Sequence, residues 1–185
     1  MALATSFALT AFITSALSVH VINLLKSAGL SIASAVMVAS LIGPMQVVGR
    51  VVEFAFGRRF SSQAIGAGTL VLLVGSLVAL LFVNSQIAVA ILFAITYGWA
   101  NGVQTIVRGT VPAELFGHDD YGHLMGRLAF PSFIARALAP IALTFSGPPS
   151  LGHDFSVPLL VGAALLALLA YVIAIRSALS LSRAT

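Results

Sequence analysis

The sequence predicts an all-α membrane protein with six transmembrane helices. Hydrophobic residues make up 59% of the chain and charged residues only 8%, with a mean hydropathy of +1.09. About a quarter of the residues of a typical soluble domain are charged. Six apolar runs are each about 20 residues or longer, enough to cross a hydrocarbon core of about 30 Å. The predicted spans cover residues 3–25, 32–54, 63–83, 86–108, 122–146 and 155–176.

The chain is predicted to form a single six-helix transmembrane unit over residues 1–185. Its first apolar run is too long for the hydrophobic region of a secretory signal, so we expect a retained span. The chain has no cysteine, which excludes disulfides, thiol catalysis and cysteine-ligated metals. Its basic residues are dispersed and do not predict a nucleic-acid surface. We expect no metal site and no cofactor.

The chain is not expected to be an enzyme. An intramembrane serine protease would require a Gly-x-Ser nucleophile paired with a membrane-embedded histidine, and no serine is convincingly placed opposite His20. His20 lies near the end of the first span, beyond a row of hydroxyl groups at Thr10, Thr14 and Ser18. We expect a structural histidine there, with a proton carrier as the alternative. The hydroxyl groups either bond to their own helix or face a partner helix.

The basic residues predict the orientation in the membrane. The connection that follows the first span has Lys26, and the other connections on that side have no basic residue. The opposite side carries both termini and most of the arginines: Arg58, Arg59, Arg108, Arg127, Arg176 and Arg183. By the positive-inside rule both termini are cytoplasmic. We expect a multi-pass protein of the cell (inner) membrane whose immediate partner is the lipid bilayer.

The spans differ in polarity. The third span and residues 155–175 of the sixth contain no charge, and these two helices are expected to face mostly lipid, whereas the other four carry polar groups. Such groups normally face a bundle interior or a wet cavity, because burying them in lipid is costly. Each set of three spans therefore has two polar helices followed by an apolar one, and the two sets start on opposite sides. This order predicts two inverted three-helix repeats, which are typical of secondary transporters.

The fourth span carries a polar stripe with spacings of four, three and four residues. Its members are Tyr97, Asn101, Gln104 and Arg108. This spacing keeps the four side chains on one face of a helix. Gly98 and Gly102 form a G-x-x-x-G motif beside the stripe, which predicts close packing of a neighbouring helix.

The second span has a similar stripe formed by Gln46, Arg50 and Glu53. Its spacing of four and three residues again places the side chains on one face. Two striped helices suggest a shared polar seam that lines a cavity. The alternative is that the side chains only form hydrogen bonds between helices.

The fifth span has an arginine near its middle. Arg136 lies between Pro131 and Pro140, at a depth where insertion of an arginine costs about 2.5 to 3.5 kcal/mol. Arg127 and Arg136 each precede a proline by four residues, so each arginine carbonyl loses its intrahelical donor and the helix should kink. We expect Arg136 to face a water-filled pathway and to bind an anionic group, with a buried structural pairing as the alternative. Arg127, like Arg50 and Arg108, is expected to snorkel to the surface.

The segment between the second and third spans resembles the G-x-x-x-D-R-x-G-R-R signature of the major facilitator superfamily. Phe54 replaces the first arginine of the signature, and one extra residue precedes its G-R-R. The matching residues are Gly49, Glu53, Gly57, Arg58 and Arg59. The segment from Arg108 to Gly117, with the glycines that follow it, is similar to the connection between the tenth and eleventh helices of these carriers.

The resemblance implies that the chain is the C-terminal six-helix half of a major facilitator superfamily transporter. A small solute, with an anion as one option, would then be moved by alternating access, and the third and sixth helices would be peripheral. The expected substrate path comprises Gln46, Tyr97, Asn101, Gln104 and Arg136. The expected gating motif comprises Gly49, Arg50, Glu53, Gly57, Arg58, Arg59 and Arg127.

In similar carriers the acid of the signature latches onto the start of the eleventh helix, so Glu53 is expected to meet the region of Arg127. Because such carriers have twelve helices, transport would require the missing N-terminal half or a second copy of the chain. The alternative is an oligomeric six-helix pore or a membrane scaffold protein, since small-residue packing and polar stripes also serve oligomers.

Overall fold

The computed structural model describes residues 1–117, 120–145 and 152–182. This part of the chain contains six α-helices and a short 3₁₀ helix over Gly57–Arg59. All six helices are long and apolar enough to cross a membrane, which confirms the predicted all-α, six-span architecture. The helices are α1 (Ala2–Ser27), α2 (Ile32–Phe56), α3 (Ser62–Leu81), α4 (Ile87–Phe116), α5 (Tyr121–Phe145) and α6 (Gly152–Ser182).

Serine caps start two of the helices. Ser31 Oγ accepts a hydrogen bond of 3.1 Å from the backbone N–H of Ser34 and begins α2. Ser61 Oγ accepts one of 3.2 Å from the N–H of Ala64 and begins α3. Each serine oxygen satisfies a backbone donor that the first turn of a helix leaves without a partner.

α4 is longer than the sequence predicts. The predicted span ended at Arg108, but the helix continues to Phe116 and ends before Gly117, which has a φ of 75°. Pro112 removes one hydrogen bond without ending the helix. The α-helix therefore extends beyond the predicted span, whose boundary at Arg108 stays a prediction. Arg108 lies about 12 Å from the end of α4, inside the helix.

The helices pack in a pattern that links the first three to the last three. α1 packs mainly against α5 and α6, whereas α4 packs mainly against α2 and α3. α3 and α6 also contact each other, and the α1 and α4 backbones make few direct contacts. The packing is therefore symmetric between the two sets of three helices. The contact of α1 with α5 corresponds to that of α4 with α2, and the contact of α1 with α6 corresponds to that of α4 with α3.

Glycines bring α2 and α4 into close backbone contact. A Cβ atom added at Gly98 would lie 2.7 Å from the carbonyl oxygen of Ile42, and one added at Gly102 would collide with the backbone of Gln46. From the α2 side, a Cβ atom at Gly49 would lie 2.8 Å from the Trp99 carbonyl oxygen. The close packing predicted from the G-x-x-x-G motif is confirmed, and α2 is the neighbour.

The most exposed helices are not the most apolar ones. α1 and α4 are the most buried, whereas α2 and α5 expose large apolar side chains, including Phe54 at 85% and Phe133 at 64%. α3 was expected to face mostly lipid, yet it buries Leu70 and Leu77 against its neighbours. A uniformly apolar helix packs as well against protein as against lipid, so hydropathy alone does not locate it.

Candidate functional site

A polar seam joins α1 to α4 at the centre of the bundle. The Thr14 hydroxyl group lies 3.2 Å from Asn101 Oδ1, and Arg108 Nη2 donates a hydrogen bond of 3.1 Å to Thr10 Oγ1. The Thr10 hydroxyl group in turn lies 3.0 Å from the carbonyl oxygen of Phe7 in its own helix. Thr10 therefore bonds to its own helix and also accepts from α4. The two helices are bridged by side chains where their backbones are apart.

The rest of the α4 stripe is buried next to this seam. Tyr97 is 3% exposed, stacks on Phe93 and lies near Thr14, and Gln104 is 5% exposed. Gln104 Oε1 is buried without a hydrogen-bond partner within the described chain. The structure thus places the predicted path residues of α4 on a face that looks into the bundle.

Of the other two predicted path residues, Gln46 lies apart from this stripe and Arg136 lies near its Arg108 end. Gln46 is half-buried where α2 packs onto Gly102, at the opposite flank of α4. Arg136 is exposed on α5, about 22 Å from the helix start at Tyr121. The sequence-based set is therefore divided between the seam, the contact between α2 and α4, and α5.

Arg136 shares a cavity with Arg108. The cavity has a volume of about 140 Å³ and lies between α1, α4 and α5. The remaining lining residues are Phe7, Met125, Leu128, Ala129, Ser132 and Phe133. The lining thus combines two guanidinium groups with a serine hydroxyl and apolar side chains, and it contains no carboxylate.

Neither arginine of this cavity is neutralised within the described residues. No carboxylate there forms an ion pair with Arg108 or Arg136, and the two like charges are close enough to interact. Arg108 Nε is buried and has no hydrogen-bond partner in the same part of the chain. The cavity is therefore a positively charged pocket, and the Arg136 side chain that lines it has N–H donors without a bond to the described residues.

Sequence reasoning missed the role of Arg108, because the predicted end of α4 placed this residue at the membrane surface. A signal was present in the sequence. Arg108 precedes Pro112 by four residues, the same spacing that separates Arg136 from Pro140. In each case the arginine carbonyl loses the N–H that a helix would supply.

α1 supplies a replacement donor at Arg136. Ser15 Oγ donates a hydrogen bond of 2.8 Å to the carbonyl oxygen of Arg136. One turn further, His20 Nε2 lies 3.2 Å from the carbonyl oxygen of Pro140. A carbonyl oxygen only accepts, so this contact requires a proton on Nε2 of His20. These bonds fix the backbone around Arg136 against α1.

The signature acid Glu53 lies beside Gly57, just beyond the end of its own helix. The Glu53 side chain lies over Gly57, where an added Cβ atom would be 2.8 Å from Glu53 Oε1. It lines a groove of about 270 Å³ together with Phe60 and Trp99. Among the described residues, neither a hydrogen bond nor an ion pair joins Glu53 to Arg127, which is exposed. The contact between Glu53 and Arg127 stays a prediction.

The other residues of the gating motif lie mainly at the surface. Gly49 is buried against α4, whereas Arg50 and Arg59 are exposed. The side chain of Arg58 lies outside the described part of the structure.

A carboxylate of α4 caps α3. Glu114 Oε2 accepts a hydrogen bond of 2.9 Å from the backbone N–H of Ser62, and Glu114 Oε1 accepts one of 3.3 Å from Gln63 Nε2. A negative charge at a helix N-terminus is favoured by the helix dipole. Sequence reasoning did not find this contact, because it depends on which two helix ends lie together.

Comparison with known proteins identifies no relative. No protein-family model matches the sequence, and no curated protein or solved structure is significantly similar to it. Functional inference for this chain therefore rests on its own residues and on their arrangement.

Proposed function

We propose that this chain is one half of a major facilitator superfamily secondary carrier and moves a small solute by alternating access. The main support is the symmetry of the helix packing, because α1 packs against α5 and α6 in the same way that α4 packs against α2 and α3. Because each set has three spans, the second set starts on the opposite side of the membrane from the first. A two-fold axis in the membrane plane would relate such sets, as in the inverted repeats of these carriers.

The polar seam supports the same proposal. α1 and α4 are the first helices of the two sets, and they are the most buried of the six. Their facing side chains include Thr14, Asn101 and Arg108. In carriers built from repeats, solute sites lie near the bilayer midplane at the repeat interface. The seam is therefore the proposed wall of the solute path.

Arg136 supports the need for a second half. Its side chain is exposed near the middle of α5, where contact with lipid would cost about 2.5 to 3.5 kcal/mol on an insertion scale. Water in a shared cavity, or a partner surface, would remove that cost. The exposed apolar faces of α2 and α5 provide area for such a partner. We propose that the chain alone transports poorly, and that an N-terminal half or a second copy completes the path.

Two-sided labelling of a single cysteine tests alternating access. The chain has no cysteine, so Ser132→Cys introduces a unique thiol into the cavity. Its reaction with a membrane-impermeant anionic thiosulfonate is measured from each face of native membrane vesicles. Glu53→Gln, which disrupts the proposed latch, should raise the rate from one face and lower it from the other.

Two controls accompany this experiment. Val71→Cys on α3 is exposed outside the cavity and should not react while it faces lipid. Glu114→Gln makes the same charge change at a site outside the proposed latch and should leave the ratio of the two rates unchanged. Rates at Ser132→Cys that are insensitive to Glu53→Gln would argue against alternating access.

An oligomeric pore or scaffold is the second candidate, because the exposed faces of α2 and α5 would also fit another copy of the chain. A pore should be labelled from both faces at once, with no reciprocal change. Its solute flux should also fail to saturate at modest concentrations. Saturable flux with reciprocal labelling would exclude the pore.

A further inference from the structure

We infer that Arg108 and Arg136 form a binding site for a small, freely diffusing oxyanion, with a short carboxylate as the favoured class. The site itself follows from the geometry of the cavity. The role of that anion as the transported solute rests on the proposed carrier function.

Charge balance is the first argument for an anion. Two guanidinium groups line a cavity of about 140 Å³ with no carboxylate in its lining. Arginine stays charged in proteins, so the pair cannot relieve its repulsion by losing a proton. In the low dielectric of a membrane protein, two uncompensated positive charges raise the free energy of the empty site. An anion between them removes that repulsion.

The unused donors are the second argument. Thr10 accepts from Arg108 Nη2, but Arg108 Nε is buried without a partner in the described residues. The Arg136 side chain also makes no hydrogen bond to the described residues. Guanidinium groups bind carboxylate and phosphate oxygens through paired N–H donors. The unbonded N–H groups of Arg136, which lines the cavity and is exposed, therefore suit an oxyanion oxygen.

The size and lining of the cavity select the ligand. A cavity of about 150 Å³ accommodates a molecule the size of benzene, so this one suits an anion of a few heavy atoms. Phe7, Met125 and Leu128 give it apolar walls. Such walls favour a short carboxylate with a methyl or methylene group over a fully hydrated inorganic anion.

The test uses the full chain in nanodiscs of zwitterionic lipid. Its thermal unfolding midpoint is followed during titration with propionate, sulfate or chloride at constant ionic strength. Propionate should raise the midpoint in a saturable manner at lower concentration than sulfate, and chloride should have no saturable effect. Absence of saturable stabilisation by either oxyanion would overturn the inference.

Variants assign the effect to the cavity. Arg136→Gln should weaken propionate binding at least tenfold, and Arg136→Lys should weaken it too, because lysine cannot form paired donors. Arg136 is exposed, so neither variant opens the core. Arg176→Gln removes an exposed charge elsewhere and should bind as the unmodified chain does. Unchanged affinity in Arg136→Gln would also overturn the inference.

A second lipid composition identifies the source of the anion. A phospholipid headgroup carries the same chemistry, so the titration is repeated in nanodiscs that contain phosphatidylglycerol. Free propionate should still bind there. If the anionic lipid raises the midpoint and abolishes the effect of propionate, the occupant is a headgroup and the inferred free ligand is wrong.

The propionate titration and the labelling experiment test the anion site and the carrier function separately. Saturable propionate binding without reciprocal labelling would leave the anion site standing and contradict the carrier. Reciprocal labelling without oxyanion binding would leave the carrier standing and contradict the anion site.

Discussion

The hydroxyl group of Ser15 occupies the position of the backbone donor that Pro140 removes from Arg136. The Arg136 carbonyl would normally accept from the N–H of residue 140, which proline lacks. Ser15 reaches it from α1 at 2.8 Å. A defect in one helix is thus repaired by its neighbour, at the residue that lines the candidate anion site.

Ser15→Ala should destabilise the folded chain by about 0.6 kcal/mol, the mean worth of a hydrogen bond between helices in a membrane protein. The measurement is unfolding of the purified chain by a denaturing detergent. The physical reason is that the Arg136 carbonyl would lose the donor that replaced its intrahelical partner.

Pro140→Ala provides the control, because alanine restores the missing N–H. In that background Ser15→Ala should cost less than it does in the unmodified chain. An equal cost in both backgrounds would show that Ser15 acts through something other than the freed carbonyl.

Gly102→Ala should destabilise the contact between α2 and α4. An added Cβ atom would collide with the Gln46 backbone, which cannot move as a flexible side chain does. Overpacking of this kind typically costs about 1 to 3 kcal/mol. Gly75→Ala on α3 meets nothing within 4 Å and should be neutral or stabilising, because alanine is the better helix former. Equal unfolding midpoints for the two variants would contradict the close backbone packing.

Glu114→Ala should destabilise the start of α3. It removes the acceptor of the Ser62 N–H and a negative charge at the helix N-terminus, together worth about 1 kcal/mol. Hydrogen exchange of the first turn of α3 should become faster. Glu114→Gln keeps an acceptor but loses the charge, so an intermediate exchange rate is expected. Unchanged exchange in the alanine variant would contradict the cap.

Arg108→Met should stabilise the chain and abolish oxyanion binding. Replacing a partly buried charge that has no counter-ion among the described residues with an apolar side chain removes a desolvation cost. Thermal unfolding and propionate titration are measured on the same preparation. A strongly destabilised variant would instead indicate that the bond from Arg108 to Thr10 is mainly structural.

The sequence predicted which residues share a face, but not which helix that face meets. The spacing of Asn101 and Arg108 placed both on one side of α4, and the structure turns that side toward α1. The Arg136–Pro140 spacing predicted a carbonyl without its donor, but not that Ser15 would supply one. Helical periodicity is a property of one segment, whereas a partner is chosen by packing among all six.

The missed features share that physical origin. The cavity shared by Arg108 and Arg136 requires α5 to lie beside the Arg108 end of the α4 stripe. The Glu114 cap requires the end of α4 to meet the start of α3. Both depend on contacts between different helices, which neither composition nor hydropathy encodes.

The packing of α1 against α5 and α6 has a consequence for biosynthesis. Ser15 and Arg136 are 121 residues apart, so at about 5 to 20 residues per second the ribosome needs roughly 6 to 24 s to supply the second after the first. During that interval α1 lies in the membrane without α5 and α6, its main neighbours, and the hydroxyl group of Ser15 lacks its partner on α5. Nascent chains stalled before α5 should therefore depend on the insertion machinery and be prone to membrane proteolysis.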